Sequence, residues 1–214
     1  MYSAEIESLD GLFSRYVAGS LPEPARVLVA THLSLKPQQN HIISALEDLA
    51  GDALSELTPD RSDDSESKLA AIFAAPRLAE MPAKNSEPGI LPQVLLDFVG
   101  FDLETIPWRT KMPGYREYSL GEIDGCEAKM LWIKAGRKMP SHTHEGSEIT
   151  LVIDGAFSDS AGRYGRGDIS LADDDMNHSP VAEAGRPCIC FAVTDAPLRL
   201  TGSYRQFFSD FIGR

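Results

Sequence analysis

The segment GRKMPSHTHEGSEITLVIDG, residues 136–155, decides the fold of this chain, because it combines metal-ligand side chains with the pattern of a buried strand. Side chains alternate between the two faces of a β-strand. If the segment is a strand, one face carries His142, His144, Gly146 and Glu148. The apolar run ITLVI that follows predicts a buried continuation of that strand. The segment therefore predicts a β-domain in which two imidazoles and a carboxylate share one pocket.

A fourth ligand is expected from His178, which follows the turn-rich stretch GRYGRGDISLADDDMN. Antiparallel strands joined by tight glycine turns would bring it back beside the first three ligands. Three histidines and one carboxylate complete a tetrahedral zinc shell, as in structural or sensing sites. An octahedral iron, manganese or nickel ion with these ligands would keep two positions for water, oxygen or substrate. The ligand types alone leave the metal open.

The spacing of these residues resembles a known family. The positions that match the first motif of the cupin family are Gly136, His142, His144, Glu148 and Gly155. Gly167 and His178 fall in register with the second motif, whose usual proline and glycine are here Asp173 and Asp175. The resemblance implies an all-β barrel of the double-stranded β-helix, or jelly-roll, type. It also implies one divalent metal held by the four ligands His142, His144, Glu148 and His178.

The rest of the chain divides into a helical part and a β part. Apolar residues recur at helical spacing from Leu9, the prolines at 22 and 24 suit the start of a second helix, and Pro37 opens a third. A fourth short helix is predicted at SESKLAAIFAA, and a final helix or irregular segment at YRQFFSDFIG. Six short runs predict strands, namely REYSL, CEAKMLWIK, SEITLVID, DISL, CICFAVTD and LRLTG. We expect a helical bundle at 1–76, a linker at 77–92 and a cupin domain at 93–214, which is an α+β multidomain chain.

A second resemblance lies in the helical part. The segment YVAGSLPEPARVLVATHLSL, residues 16–35, resembles the zinc-binding domain of ChrR-type anti-sigma factors, in which a helical domain precedes a cupin domain. The resemblance implies a regulator of transcription that binds an extracytoplasmic-function sigma factor and responds to stress such as singlet oxygen or an organic peroxide. It favours zinc as the metal of the cupin domain.

The zinc ligands of that helical domain are mostly missing from this chain. The family signature is His-x3-Cys-x2-Cys with an upstream histidine, and this chain retains only His32. Lys36 and Gln39 occupy the cysteine positions. One histidine cannot hold structural zinc. We therefore expect no zinc in the N-terminal domain, a partly buried His32, and a bundle stabilised by packing or by a partner.

The charge, the apolar runs and the number of cysteines argue against several classes of function. The net charge of -12 argues against nonspecific nucleic-acid binding. No apolar run approaches 18 residues and the N-terminus lacks signal-peptide features, so a cytoplasmic protein without a membrane segment is expected. Three cysteines do not form a disulfide framework. Cys188 and Cys190 share one strand face, where buried apolar cysteine is the commoner explanation, while the ChrR resemblance implies redox sensing.

Two functional hypotheses follow. The first is an anti-sigma factor whose helical domain binds a sigma factor and whose cupin domain senses oxidative stress through its metal or through Cys188 and Cys190. The second is a metal-dependent cupin oxygenase or isomerase acting on a small organic acid, with the metal as Lewis acid and the helical domain mediating oligomerisation. Cupins often pair through their sheets, so a homodimer is compatible with both hypotheses.

Overall fold

The computed structural model describes residues 8–59, 64–76, 89–140, 142–144, 146–173, 179–195 and 198–200, and for His142, His144 and Leu198–Leu200 it describes the backbone. The closing segment, for which a helix or irregular structure was predicted, lies outside these residues, as do 77–88 of the predicted linker. No helix in the described part of the chain is long and apolar enough to cross a membrane.

Five helices form where local signals place them. They are α1 (Leu9–Val17), α2 (Glu23–Leu35), α3 (Asn40–Ser55), α4 (Ser65–Ala74) and α5 (Gln93–Val99), with a 3-10 turn at Pro37–Gln39 before α3. The Ser8 side chain caps α1 by accepting a hydrogen bond from the Gly11 amide at 3.1 Å. Pro22 precedes α2 and Pro24 lies in its first turn. The four helices predicted from the N-terminal sequence are confirmed.

The fifth helix was not predicted. It begins after Pro92 and ends before Gly100, which is the usual arrangement at helix boundaries. Helix α5 contacts α2, and the ring of Phe98 meets Phe191 edge-on with centroids 5.9 Å apart. Leu91 and Leu95 are buried beside them. The residues from Leu91 to Val99 are therefore packed between the helices and the sheet, and the domain boundaries in this region stay a prediction.

Eleven strands are described after α5. They are β1 (Arg109–Met112), β2 (Tyr115–Ile123), β3 (Cys126–Ile133), β4 (His142–His144), β5 (Glu148–Asp154), β6 (Ala156–Ser158), β7 (Arg163–Gly165), β8 (Ile169–Ala172), β9 (Val181–Ala182), β10 (Cys188–Thr194) and β11 (Leu198–Leu200). They form a six-stranded sheet in the order β1-β2-β3-β10-β5-β8, a two-stranded sheet β11-β4 and a three-stranded sheet β7-β6-β9. Every pairing is antiparallel. The predicted α+β order, helices followed by an antiparallel barrel-like domain, is confirmed.

Strand β10 is buried on both faces, which explains its continuous apolar sequence. Ile189, Phe191 and Val193 pack in the same hydrophobic core as the helices. Cys188 and Cys190 belong to a second core on the other face. The helices therefore cover the outer face of the six-stranded sheet, and the helical part and the β part share one continuous core.

Part of the helical region leaves large apolar side chains exposed. The second half of α3 exposes Leu49 and Leu54, which are 66% and 67% accessible. All described residues of α4 and its flanks are exposed, with Phe73 at 84%. The helical bundle predicted from the sequence thus buries only part of its apolar surface within the described chain.

Candidate metal and sensor site

A cavity lies on the inner face of the six-stranded sheet, away from the helices. Alternate side chains of β3, β5 and β10 point into it, because their neighbours point into the helical core. The β6 residue Phe157 contributes to its opposite side, and Met139 and Pro180 enter from connecting segments. The lining residues are Tyr115, Glu127, Lys129, Leu131, Ile133, Met139, Glu148, Thr150, Phe157, Ser170, Pro180, Cys190, Ala192 and Thr194. The site is a mainly apolar pocket with a few converging polar groups.

Glu148 is the predicted ligand whose side chain the structure describes. It is the first residue of β5, it is half-buried, and it lines the cavity. The Thr150 hydroxyl donates a hydrogen bond to Oε1 of Glu148 at 3.0 Å. A carboxylate has about four lone-pair positions, so this bond orients the group and leaves its chemistry compatible with metal coordination. Glu148 therefore fits the role that the sequence predicts for it.

His142 and His144 lie on β4, which is not the same strand as β5. The segment was predicted as one strand, but β4 pairs with β11 while β5 pairs with β10, and Gly146 lies in the bend between them. The register nevertheless continues. Thr194 lies opposite Glu148, and Leu198 lies opposite His144, so both sides of the ladder advance by the same four residues. The pairing of β4 with β11 is therefore offset from that of β5 with β10 by equal numbers of residues on both sides, as the predicted alternation of His142, His144 and Glu148 requires.

His178 lies outside the described residues, as do the side chains of the other two histidines. Two of its neighbours in sequence are described. The Ser179 hydroxyl donates to the Met139 carbonyl at 2.6 Å, and Pro180 lines the cavity. Among the side chains that the structure describes, no group of three or more His, Cys, Asp or Glu is arranged to hold a metal. The four-ligand set therefore remains a prediction.

The two cysteines of β10 are brought together. The sulfur atoms of Cys188 and Cys190 are 3.6 Å apart, and both side chains are buried. The contact with Cys188 and burial raise the pKa of Cys190 well above its ordinary value. Both factors favour the neutral thiol. Since the thiolate is the nucleophilic form, the Cys190 thiol is held in an unreactive state, and burial shields both sulfur atoms from solvent.

Tyr115 is a cavity residue that the sequence did not single out. Its hydroxyl donates to Oε2 of Glu117 at 3.2 Å. Burial raises the pKa of Tyr115, with further contributions from Glu117 and Glu148, so the phenol stays protonated. The sequence did not indicate Tyr115 for two reasons. The predicted strand began one residue later, at Arg116. Alternation of side chains also does not tell which face of a sheet that is covered on both sides lines a cavity.

His32 lies far from this cavity, on the outer side of the sheet. It is 4% exposed, so it is more completely buried than the sequence suggested. Its Nδ1 lies 2.7 Å from the carbonyl oxygen of Gly167, and its ring is 5.5 Å from that of Phe13. Burial lowers the pKa of His32. The described neighbours therefore hold it as a neutral core histidine, and the absence of zinc from the helical part stays a prediction.

Comparison with known proteins identifies relatives for nearly the whole chain. The family model for the ChrR cupin-like domain matches residues 97–197. The anti-sigma-E factor ChrR of Cereibacter sphaeroides is 42% identical over 193 residues, which cover 89% of this chain and 89% of that protein. The crystal structure of Rhodobacter sphaeroides SigE in complex with the anti-sigma ChrR matches with a TM-score of 0.73 and 39% identity, covering 88% of this chain and 97% of the matched chain. This protein therefore belongs to the ChrR family of anti-sigma factors, with a helical region followed by a ChrR cupin-like domain.

Proposed function

We propose that this protein binds an extracytoplasmic-function sigma factor through its helical region and senses oxidative stress through its cupin-like domain. The observation that carries the first part is the apolar surface of α3 and α4, which we call the helical apolar surface. It consists of Leu49, Leu54, Leu57, Leu69, Ile72 and Phe73, which are 54% to 84% exposed. On α4, Leu69, Ile72 and Phe73 lie at i, i+3 and i+4 and so share one face of the helix, and exposed apolar patches of this kind mark protein-binding sites. A partner would bury them.

Charge supports a protein partner with a basic surface. Residues 1–90 contain 14 acidic and 7 basic residues, which gives this half a net charge of -7. Complementary charge speeds the encounter of two proteins, while burial of apolar side chains supplies affinity. The ChrR structure that matches this chain is a complex with the sigma factor SigE. A sigma factor of that class is therefore the partner that we propose.

The test is co-purification with a cognate sigma factor from the same host, followed by titration of the purified pair. Phe73→Asp places a charge at the most exposed apolar side chain of α4. Loss of one buried aromatic anchor typically costs about 2 kcal/mol or more, so affinity should fall about thirtyfold or more. Val94→Asp is the matched control, because Val94 is 41% exposed and lies in the first turn of α5, where an acidic residue is tolerated. Equal affinity of wild type and Phe73→Asp would contradict the proposed surface.

The second part of the proposal is a divalent metal, with zinc favoured, held by His142, His144, Glu148 and His178. Metal binding in general is suggested by the family and by its cupin-like domain. The orientation of Glu148 and the continuous register of β4 and β5 support the ligand set. A bound ion would supply a cross-link between β4, β5 and the segment that contains His178.

Metal content measured by mass spectrometry on the purified protein tests this site. The wild type should retain about one metal ion per chain, and Glu148→Gln should lose most of it, since changes at a ligand set typically reduce affinity by at least 10- to 100-fold. Glu127→Gln is the matched control. Glu127 lines the same cavity but pairs with Lys129 at 2.8 Å and is not a predicted ligand. Equal metal loss in both variants would contradict the assignment of Glu148.

We further propose that Cys188 and Cys190 take part in redox sensing. The two sulfur atoms are 3.6 Å apart, so formation of a disulfide would have to shorten β10 locally, and in that step two thiols lose two protons and two electrons to a two-electron oxidant such as a peroxide. Oxidation would change β10, whose other face packs on the helices. Replacing both cysteines by serine should leave sigma-factor binding intact and reduce release by peroxide. Unchanged release in that variant would overturn the role of the pair.

Family membership favours the regulator over the oxygenase or isomerase.

A further inference from the structure

The C-terminal turn of α2 meets the turn between β7 and β8, and the two are joined by polar contacts as well as by packing. Nδ1 of His32 lies 2.7 Å from the carbonyl oxygen of Gly167. One helix turn further along the chain, Nζ of Lys36 lies 2.9 Å from Oδ1 of Asp168. The two contacts come from one helix turn and reach adjacent residues of one turn in the sheet. They therefore fix both the position and the rotation of α2.

Gly167 allows this close approach. A Cβ at this position would lie 2.8 Å from Cε of Lys36 and 3.1 Å from Cβ of Leu35, and the residue has φ +83, which disfavours other side chains. The turn is itself anchored to the sheet, because the Gly167 amide donates to the Val152 carbonyl at 2.8 Å and the Val152 amide donates to the Asp168 carbonyl at 3.0 Å. Val152 pairs with Cys190. The helix is thus attached to the strands that form the cavity wall.

We propose that His32, Lys36, Gly167 and Asp168 form a clasp that holds the helical region in one orientation on the cupin-like sheet. Apolar packing between α2 and the sheet is not directional, whereas these hydrogen-bonded and charged groups require one arrangement. The clasp is formed entirely by residues of this chain where α2 meets the sheet. It therefore needs neither the partner nor the metal proposed above.

The clasp requires one tautomer of His32. A carbonyl oxygen only accepts, so Nδ1 must carry the proton. Burial lowers the pKa of His32, and the charge of Lys36 acts in the same direction, while the hydrogen bond to Gly167 and the charge of Asp168 oppose it. The ring is therefore held neutral, and Nε2, which is buried and has no hydrogen-bond partner among the described residues, carries no proton when Nδ1 does. Free histidine in water favours the other tautomer, so the Nδ1–H form is a specific signature of the clasp.

The experiment combines two measurements on the full-length protein without a partner. Long-range 1H–15N NMR at pH 7 should show His32 as a neutral ring protonated at Nδ1. Amide hydrogen exchange should then compare wild type with Lys36→Met, which removes the ammonium group and retains the apolar stem. Exchange of the Lys36 amide, which donates to the His32 carbonyl at 2.8 Å, should become about two- to fivefold faster, since partly exposed ion pairs contribute up to about this factor.

Lys111→Met is the matched control. It makes the same substitution as Lys36→Met but removes an ion pair between Lys111 and Glu117 at 2.9 Å, which joins β1 and β2 at the sheet edge away from β8. This variant should leave exchange at the end of α2 unchanged. A His32 ring protonated at Nε2 in the wild type, an unchanged exchange rate in Lys36→Met, or an equal increase in Lys111→Met would each overturn the clasp.

Discussion

Truncation of Phe191 tests whether the helices and the sheet share one core. Phe191 is fully buried at the centre of β10 and meets Phe98 of α5 edge-on. A buried phenyl side chain removes about 150 Å² or more from water. At about 25 cal/mol per Å², Phe191→Ala should lose about 4 kcal/mol, which agrees with the range of about 3–5 kcal/mol for such changes.

The assay is urea unfolding followed by far-ultraviolet circular dichroism, which reports the helices, and by tryptophan fluorescence, which reports Trp108 and Trp132 near the sheet. Both signals should give the same midpoint, because one core unfolds cooperatively. The loss of about 4 kcal/mol should lower the melting temperature by about 8–16 °C for a chain of this size. Phe101→Ala is the matched control: Phe101 also pairs edge-on with an aromatic ring, that of Tyr118, but is 38% exposed, and the loss should stay below about 2 kcal/mol.

Two results would refute this reasoning. A loss below about 2 kcal/mol in Phe191→Ala would mean that the side chain is not central to the core. Separate transitions for the helical and the fluorescence signals in the wild type would mean that the two parts unfold independently.

Three further predictions follow from single residues. Because the folded pKa of His32 lies below its unfolded value of about 6.5, protonation favours the unfolded chain, and stability should fall as pH drops below about 6.5, by up to about 1.4 kcal/mol per pH unit. Urea titrations at several pH values should show that His32→Gln removes this pH dependence of the free energy of unfolding, whereas His41→Gln, at an exposed position, does not. The same pH dependence in His32→Gln and in the wild type would contradict the prediction. In the same assay, Gly155→Ala should lower the free energy of unfolding by more than about 1–2 kcal/mol, because φ is +73 and the new Cβ would overlap the backbone of Pro187, just before Cys188. An unchanged free energy of unfolding would show that the turn relaxes. In the native protein, iodoacetamide should label neither Cys188 nor Cys190 at neutral pH, whereas both should react in urea; rapid native labelling would show that the pair opens.

Much of the fold could be predicted from local sequence. Helices α1 to α4 follow from apolar spacing, prolines and caps, and six strands follow from short apolar runs between turns. Helix α5 was missed because seven residues are too few for a clear period, although Pro92 and Gly100 marked its ends. Short strands such as β6 and β9 were missed because they extend over only three and two residues and take their pairing from distant segments.

The candidate site was likewise predicted only in part from the sequence. Glu148 was predicted because alternation and motif spacing are local, and the structure places it in the cavity. Tyr115 was missed because a tyrosine near a strand end has no distinguishing pattern. The break between β4 and β5 was also missed, since the spacing of the ligand residues in the sequence is that of one strand while the two strands pair with different partners.

The sequence by itself determined the order of the two structural classes, the positions of most elements and the residue types available for a metal, because each depends on neighbours a few residues away. Only the tertiary structure decided which face of β10 meets the helices, that α4 stays exposed in the described part of the chain, and that His32 and Lys36 reach Gly167 and Asp168. The contacts of His32 and Lys36 join residues more than 100 positions apart. Their formation depends on the packing of the whole core, which no local period encodes.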